Sequence, residues 1–144
     1  MVEDGVTEQF LGYWRAINRH LRKGMLTEGE ERITRLQWML LRQVNKGESC
    51  TMGGLADKFG VRPSTISQMA DRLEKAQLIH RVPDTRDARV KFITLTEKGR
   101  TFIQEVEAFW AIRLEEGLGQ FSSEEQSVLL QLLGRLASSL AGPR

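Results

Sequence analysis

Apolar residues Phe10, Leu11, Trp14, Ile17 and Leu21 recur three and four positions apart, the spacing that lines one face of an α-helix, and the stripe stops at Gly24. The pattern predicts an amphipathic helix over roughly Thr7 to Lys23, then a Glu-rich loop over Met25 to Arg32. Thr34-Arg35-Leu36-Gln37 has the capping-box form, in which the Thr hydroxyl and the Gln side chain satisfy each other's orphan backbone N–H groups. A second helix therefore starts near Thr34 and ends before Gly47. Thr51 caps a short third helix whose Leu55, Ala56 and Phe59 face inward, and Gly60 offers a left-handed position for its end. A fourth helix opens almost at once at Pro63, a residue suited to a first helical position because its missing N–H loses nothing there. Ile66, Met69, Ala70 and Leu73 mark its buried side. Ser64, Ser67, Gln68, Asp71 and Arg72 lie opposite, with Thr65 at the edge.

The period then changes. Leu78 to Val82 and Val90 to Leu95 are rich in β-branched and apolar residues and flank the charged segment Pro83 to Arg89, which predicts two strands joined as a hairpin. Thr96 caps a long helix carrying Phe102, Ile103, Val106, Phe109, Trp110 and Leu114. Ser122-Ser123-Glu124-Glu125 is a second capping box, opening a last helix that carries Val128, Leu129, Leu132, Leu133, Leu136 and Leu140. So broad an apolar face exceeds what packing against one lobe requires, which points the terminal helices at a second chain.

At 144 residues the chain fits one domain or one compact unit with two lobes. Its longest apolar run, Val128 to Leu133, is broken by Gln131, so no membrane span is expected. The N-terminus lacks the basic start and apolar stretch of a leader, and the expected location is cytoplasmic. One cysteine, Cys50, excludes an internal disulfide, and with only His20 and His80 beside it a zinc site has too few ligands; neither metal nor cofactor is expected. No Ser/His/Asp set, carboxylate-and-His cluster or phosphate loop appears, and Gly24 to Glu30 has neither the spacing nor the Lys of one, so the chain does not read as an enzyme. A net charge of +2 announces nothing by itself. Its distribution says more: from Asp57 to Lys91 there are eight Lys and Arg against five Asp and Glu, whereas Glu97 to Arg144 holds five against seven.

Two helices joined by a tight Gly turn, the second polar on its outer face, followed by a hairpin with a basic tip, form a winged helix-turn-helix. Such a helix fits the DNA major groove, and a hairpin tip reaches the adjacent minor groove. The fold class is thus mainly α with a small β-hairpin wing, the winged core flanked by N- and C-terminal dimerisation helices. The expected divisions are 1–33, an N-terminal dimerisation helix and loop; 34–99, the DNA-binding region; and 100–144, the C-terminal dimerisation helices.

Over roughly Ile33 to Gly99 the sequence resembles the MarR family of transcriptional regulators. The resemblance rests on Thr34 and Gln37, Leu55-Ala56, Pro63-Ser64-Thr65-Ile66-Ser67, Asp71-Arg72-Leu73-Glu74, Arg81, Asp87-Ala88-Arg89 and Leu95-Thr96-Glu97-Lys98-Gly99. Two positions depart from it. Gln77 stands where the family usually has the Gly that follows the recognition helix, and Gly54 stands where an acidic residue usually precedes Leu-Ala.

The DNA contacts expected from chemistry are Ser64 and Thr65 at the positive end of the recognition helix, against the bland alternative that one of them merely caps it. Ser67 and Gln68 are placed to read bases, Gln being suited to adenine. Arg72 reaches phosphate or guanine, and Arg62 a phosphate. At the wing, Arg89 resembles the family's minor-groove arginine, with Asp87 orienting its guanidinium through a charge-assisted hydrogen bond and Arg86 as a second tip cation. The resemblance further implies a homodimer on a pseudo-palindromic operator, a repressor role, and release by a small phenolic or anionic ligand. Trp14, Trp38, Arg42 and Trp110 are candidates to line its pocket, although packed core is the ordinary role for such tryptophans. A winged-helix protein-interaction module is the alternative reading. Cys50 does not match the position of the family's redox cysteine and reads as a bystander.

Overall fold

The computed structural model describes residues 3–22, 33–47 and 50–142, and the loop reading for Met25 to Arg32 lies outside them. Six helices and one hairpin follow in the order α1 (Val6–Arg22), α2 (Arg35–Asn45), α3 (Met52–Phe59), α4 (Pro63–Lys75), β1 (Ile79–Pro83), β2 (Lys91–Leu95), α5 (Glu97–Leu118) and α6 (Ser123–Leu140). The chain divides into two compact units, Met1–Ala108 and Phe109–Arg144, with α5 running through the division.

In the first unit the helix starts obey local chemistry. The Thr34 hydroxyl accepts from the Gln37 N–H at 3.2 Å while Gln37 Oε1 accepts from the Thr34 N–H at 2.9 Å, so the reciprocal box also satisfies a Gln side chain that is buried. The Thr51 hydroxyl accepts from the Gly54 N–H at 3.0 Å, and Gly60 ends α3 at φ 62°. A Cβ at Gly54 would lie 2.9 Å from the Thr51 hydroxyl oxygen, so a larger residue there asks that hydroxyl to shift.

The core of this unit joins Trp38, Leu40, Leu41 and Val44 of α2, Leu55 and Ala56 of α3, and Ile66, Met69, Ala70 and Leu73 of α4. Leu78, Ile79, Ile93, Ile103 and Val106 complete it. Four helices, α2, α3, α4 and the first half of α5, thereby close one apolar interior with the hairpin, the largest favourable term available to so small a lobe.

The hairpin is antiparallel, in register from Ile79 opposite Leu95 to Pro83 opposite Lys91. Its strands begin one residue later than the β-rich runs predict. Leu78 is consumed by the turn out of α4, and Val90 closes the tip by donating to the Asp87 carbonyl at 3.0 Å while accepting from Asp84 N–H at 2.8 Å. A third stretch of chain, absent from the sequence expectation, pairs on the far side of β2: Ile93 N–H donates to the Cys50 carbonyl at 2.9 Å, and Thr51 bridges Phe92.

The turn after α4 resolves the Gln77 departure. Gln77 takes φ 62°, the left-handed conformation that glycine adopts at no steric penalty, and is the one non-glycine residue with positive φ among those described. Two bonds hold it there, Gln77 N–H to the Glu74 carbonyl and Leu78 N–H to the Leu73 carbonyl, both 2.9 Å, the pairing of a Schellman motif with apolar Leu73 and Leu78 closing over it. The start of α5 then grips the same turn. The Thr96 hydroxyl donates to the Gln77 carbonyl at 2.6 Å and accepts from the Gly99 N–H at 2.8 Å, Thr96 N–H donates to the Leu78 carbonyl at 3.1 Å, and Lys98 Nζ donates to the Ala76 carbonyl at 3.1 Å. Gly99 is required by this approach, because a Cβ there would overlap the Leu78 carbonyl oxygen.

Elsewhere much of the apolar pattern stays exposed among the described residues. In α1 no residue is buried, and Phe10, Leu11, Trp14 and Ile17 are exposed. In the second unit α6 likewise buries nothing, leaving Val128, Leu132, Leu133, Leu136 and Leu140 exposed. It is nonetheless well formed, with the Ser122 hydroxyl accepting from Glu125 N–H at 3.2 Å and Glu125 Oε2 accepting from Ser122 N–H at 2.8 Å.

Candidate nucleic-acid interface

The tight turn between α3 and α4 follows from three residues within one short stretch. Gly60 supplies the left-handed step, Val61 N–H returns to the Ala56 carbonyl at 3.1 Å, and Pro63 fixes the first helical φ. Arg62 occupies the cap position, and no side chain caps the helix. The alternative in which Ser64 or Thr65 serves as the cap is therefore not the one adopted; Thr65 N–H donates to the Arg62 carbonyl at 2.9 Å, and the Ser64 N–H is left at the positive end of α4 for an outside acceptor.

Burial divides α4 as its period predicts. Ile66, Met69, Ala70 and Leu73 face the core; Ser64, Gln68, Asp71, Arg72 and Lys75 are exposed, and Thr65 and Ser67 are half-buried at the margin. The structure brings Arg62, Ser64, Ser67, Gln68 and Arg72 to one outward surface. Among the described residues, the side chains of Ser64, Ser67, Gln68 and Arg72 form no hydrogen bond or ion pair within the chain.

At the wing, Asp87 Oδ1 accepts from both the backbone N–H of Arg89 at 3.0 Å and its Nε at 3.1 Å, and Oδ2 accepts from Nη2 at 3.2 Å. The Arg89 donors hold the Asp87 carboxyl below its ordinary range. The guanidinium thus gets an orientation without getting buried: its side chain is 91% exposed. Arg86 stands exposed beside it on the tip.

Arg81 carries an arrangement that the sequence reading left without a role. Its Nη2 lies 2.7 Å from Asp71 Oδ1 and 3.0 Å from Glu74 Oε1, and its backbone N–H donates to Glu74 Oε2 at 3.0 Å. Hydrogen bonds from Arg81 lower the Glu74 carboxyl below its ordinary 4.5, and the same bonds raise the guanidinium. A signal existed in the sequence. Alternation from Ile79 puts Arg81 on the covered face of the strand, where a guanidinium needs partners, and Asp71 and Glu74 stand three residues apart on the preceding helix.

The candidate ligand residues lie on three helices, Trp14 on α1, Trp38 and Arg42 on α2 and Trp110 on α5. Trp38 is core, set edge-on to Phe102 with centroids 6.4 Å apart, whereas Arg42 is exposed and 3.7 Å from Glu107. Trp14 is exposed on α1 and stacks on Phe10 at 6.4 Å, and Trp110 lies half-buried in the second unit. Cys50 is buried, its Sγ 3.9 Å from the Gln43 carbonyl oxygen. Among the described residues no cluster of His, Cys, Asp and Glu has the grouping of a metal site, and no helix is long and apolar enough to cross a membrane.

A recognition helix without a side-chain cap, followed by a wing that presents an aspartate-oriented arginine, defines a winged helix-turn-helix DNA-binding protein. The comparisons agree. The model of the MarR family matches residues 33–91. The chain is 31% identical over 114 residues to the uncharacterized HTH-type transcriptional regulator YxaD of Bacillus subtilis, covering 77% of this chain and 80% of that one. It is 30% identical over 125 residues to the HTH-type transcriptional repressor MdtR of the same organism, covering 86% and 81%. A solved MarR family protein from Bacillus stearothermophilus superposes with a TM-score of 0.81 at 31% identity, covering 99% of each chain. The protein belongs to the MarR family and is a DNA-binding transcriptional regulator.

Proposed function

We propose that the protein acts in the cytoplasm as a homodimeric repressor that occupies a pseudo-palindromic operator and is released by a small phenolic or anionic ligand. The observation that carries the DNA-reading part is the pairing of an uncapped recognition helix with an exposed, Asp87-held Arg89. In this reading Arg62, the Ser64 N–H and the hydroxyls of Ser64 and Thr65 meet phosphates, and Ser67, Gln68 and Arg72 address base edges in the major groove. Arg89, with Arg86 beside it, enters the minor groove.

The dimer is supported by the apolar residues left exposed on α1 and α6, and it supplies two recognition helices for two half-sites. Repression is supported by the likeness to MdtR, whose name assigns it that role. Release by a ligand assigns Trp14, Trp38, Arg42 and Trp110 to the pocket, of which Arg42 offers an exposed cation for an anionic group.

The test is retention of sheared genomic DNA by the purified protein across a salt series, with sequencing of what is held. Enrichment of an inverted repeat with half-sites about ten base pairs apart supports the reading; uniform retention of all sequence overturns operator binding. Arg89→Ala is expected to weaken binding to an A·T-rich selected site by roughly tenfold, measured by fluorescence anisotropy.

A further inference from the structure

The hairpin leaves α4 through one turn and returns toward it at one place. Among the described residues, the polar links between residues 79–95 and α4 are those of Arg81 alone: its N–H and Nη2 to the two oxygens of Glu74, and Nη2 to Asp71. Asp71 and Glu74 are neighbours one turn apart, so a single guanidinium spans a full turn of the recognition helix. Glu74 in turn holds both the main chain and the side chain of Arg81, which fixes the strand along the helix axis as well as toward it. From that anchor β1 and β2 run paired to the tip, where Arg89 is oriented by Asp87.

We propose that Arg81 is a positioning residue for DNA recognition. It sets the wing at one height on α4, so that the helix face and the Arg89 tip meet the duplex as one rigid reader. The inference rests on the assignment of α4 and the wing to DNA reading made above. Arg81 itself is turned inward, with its side chain 22% exposed, and needs no contact with DNA to act. One nitrogen, Nη2, meets both carboxylates, and its two hydrogens are fixed in the guanidinium plane, an orientation that a lysine ammonium on a flexible stem does not reproduce.

The test uses the full chain with Arg81→Met, which keeps the length of the stem, and Arg81→Lys, which keeps the charge. Amide hydrogen exchange without DNA is measured first. In Arg81→Met the hairpin amides exchange roughly tenfold faster while those of α2 stay as they were, and Arg81→Lys restores part of the protection. Each protein is then offered a pool of duplexes with randomised cores. Arg81→Met retains the pool with an unchanged salt slope, since no phosphate-facing cation has been lost, but the enriched motif loses its fixed distance between the helix-read and wing-read positions. A reduced salt slope with the motif intact would make Arg81 an ordinary phosphate contact, and unaltered hairpin exchange would remove the clamp; either result overturns the proposal. If the wild-type protein enriches no motif while its hairpin loosens in Arg81→Met, the operator reading fails and the clamp stands.

Discussion

The winged lobe and the helix α6 are both apolar every third or fourth residue, yet they treat those residues in opposite ways. In the lobe, Leu40, Leu41, Ile66, Leu73, Leu78 and Ile79 are fully buried, because α2, α3, α4, the first half of α5 and a hairpin surround a common interior. In α6 the same kind of stripe faces outward, with Leu132 53% and Leu136 36% exposed. Helical periodicity specifies that a face seeks cover; it does not specify whether the cover is part of the same chain. The lobe carries its own cover, and the stripes of α6 and α1 stay largely exposed among the described residues.

The largest effect comes from breaking the open side of that contrast. Leu132→Asp with Leu136→Asp places charges on the uncovered stripe and should convert a two-chain species to a single chain by sedimentation, weakening DNA binding on the order of a thousandfold through lost bivalency. Unchanged sedimentation would show that the stripe is not the dimer surface. On the closed side, Leu41→Ala opens a cavity in the lobe and should lower unfolding stability by about 3 kcal/mol, read by thermal or denaturant melting. Gln77→Gly works in the other direction. Relieving the left-handed strain at the end of α4 should stabilise the lobe by about 1 kcal/mol in the same melt, and no gain would mean that the Schellman bonds already absorb the strain.

The smallest effect is a pH dependence. The folded Glu74 carboxyl titrates below its ordinary 4.5, so its contribution to hairpin docking is complete above pH 4.5 and is lost as pH falls further, through its folded value. For a pair this exposed the change is at most about 1 kcal/mol. It should appear as faster hairpin amide exchange in acid, and Glu74→Gln should abolish the dependence.

The parts of the lobe that were legible in the sequence are those decided within three or four residues. Thr34 with Gln37, Ser122 with Glu125, Thr51 and the Gly60 end of α3 each form the bonds their spacing predicts. Asp87 and Arg89, two residues apart, belong to the same class. The division of α4 into covered and outward faces was legible too, being a matter of period alone. The unread features depend on chain segments that only the fold brings together. Cys50 pairs with Ile93 across more than forty residues, Thr96 reaches back to Gln77, and Arg81 joins carboxylates on the preceding helix. Gln77 falls between the two classes. Its glycine-like position followed from the family resemblance, but its acceptance of φ 62° depends on Leu73 and Leu78 closing over the turn.

Ser64, Ser67, Gln68 and Arg72 of the recognition helix, whose side chains form no bond within the chain among the described residues, have a consequence for the protein's history. Every bond that keeps α4 in place is made by its backbone, its inner face or the end that meets Thr96 and Arg81. Exchanges at Ser64, Ser67, Gln68 or Arg72 therefore disturb no folded contact and should fall within the small stability range of ordinary surface changes. The address written on the helix is editable separately from the scaffold that carries it. A lineage built on this fold can be retargeted to new promoters one substitution at a time, without passing through ancestors too unstable to survive.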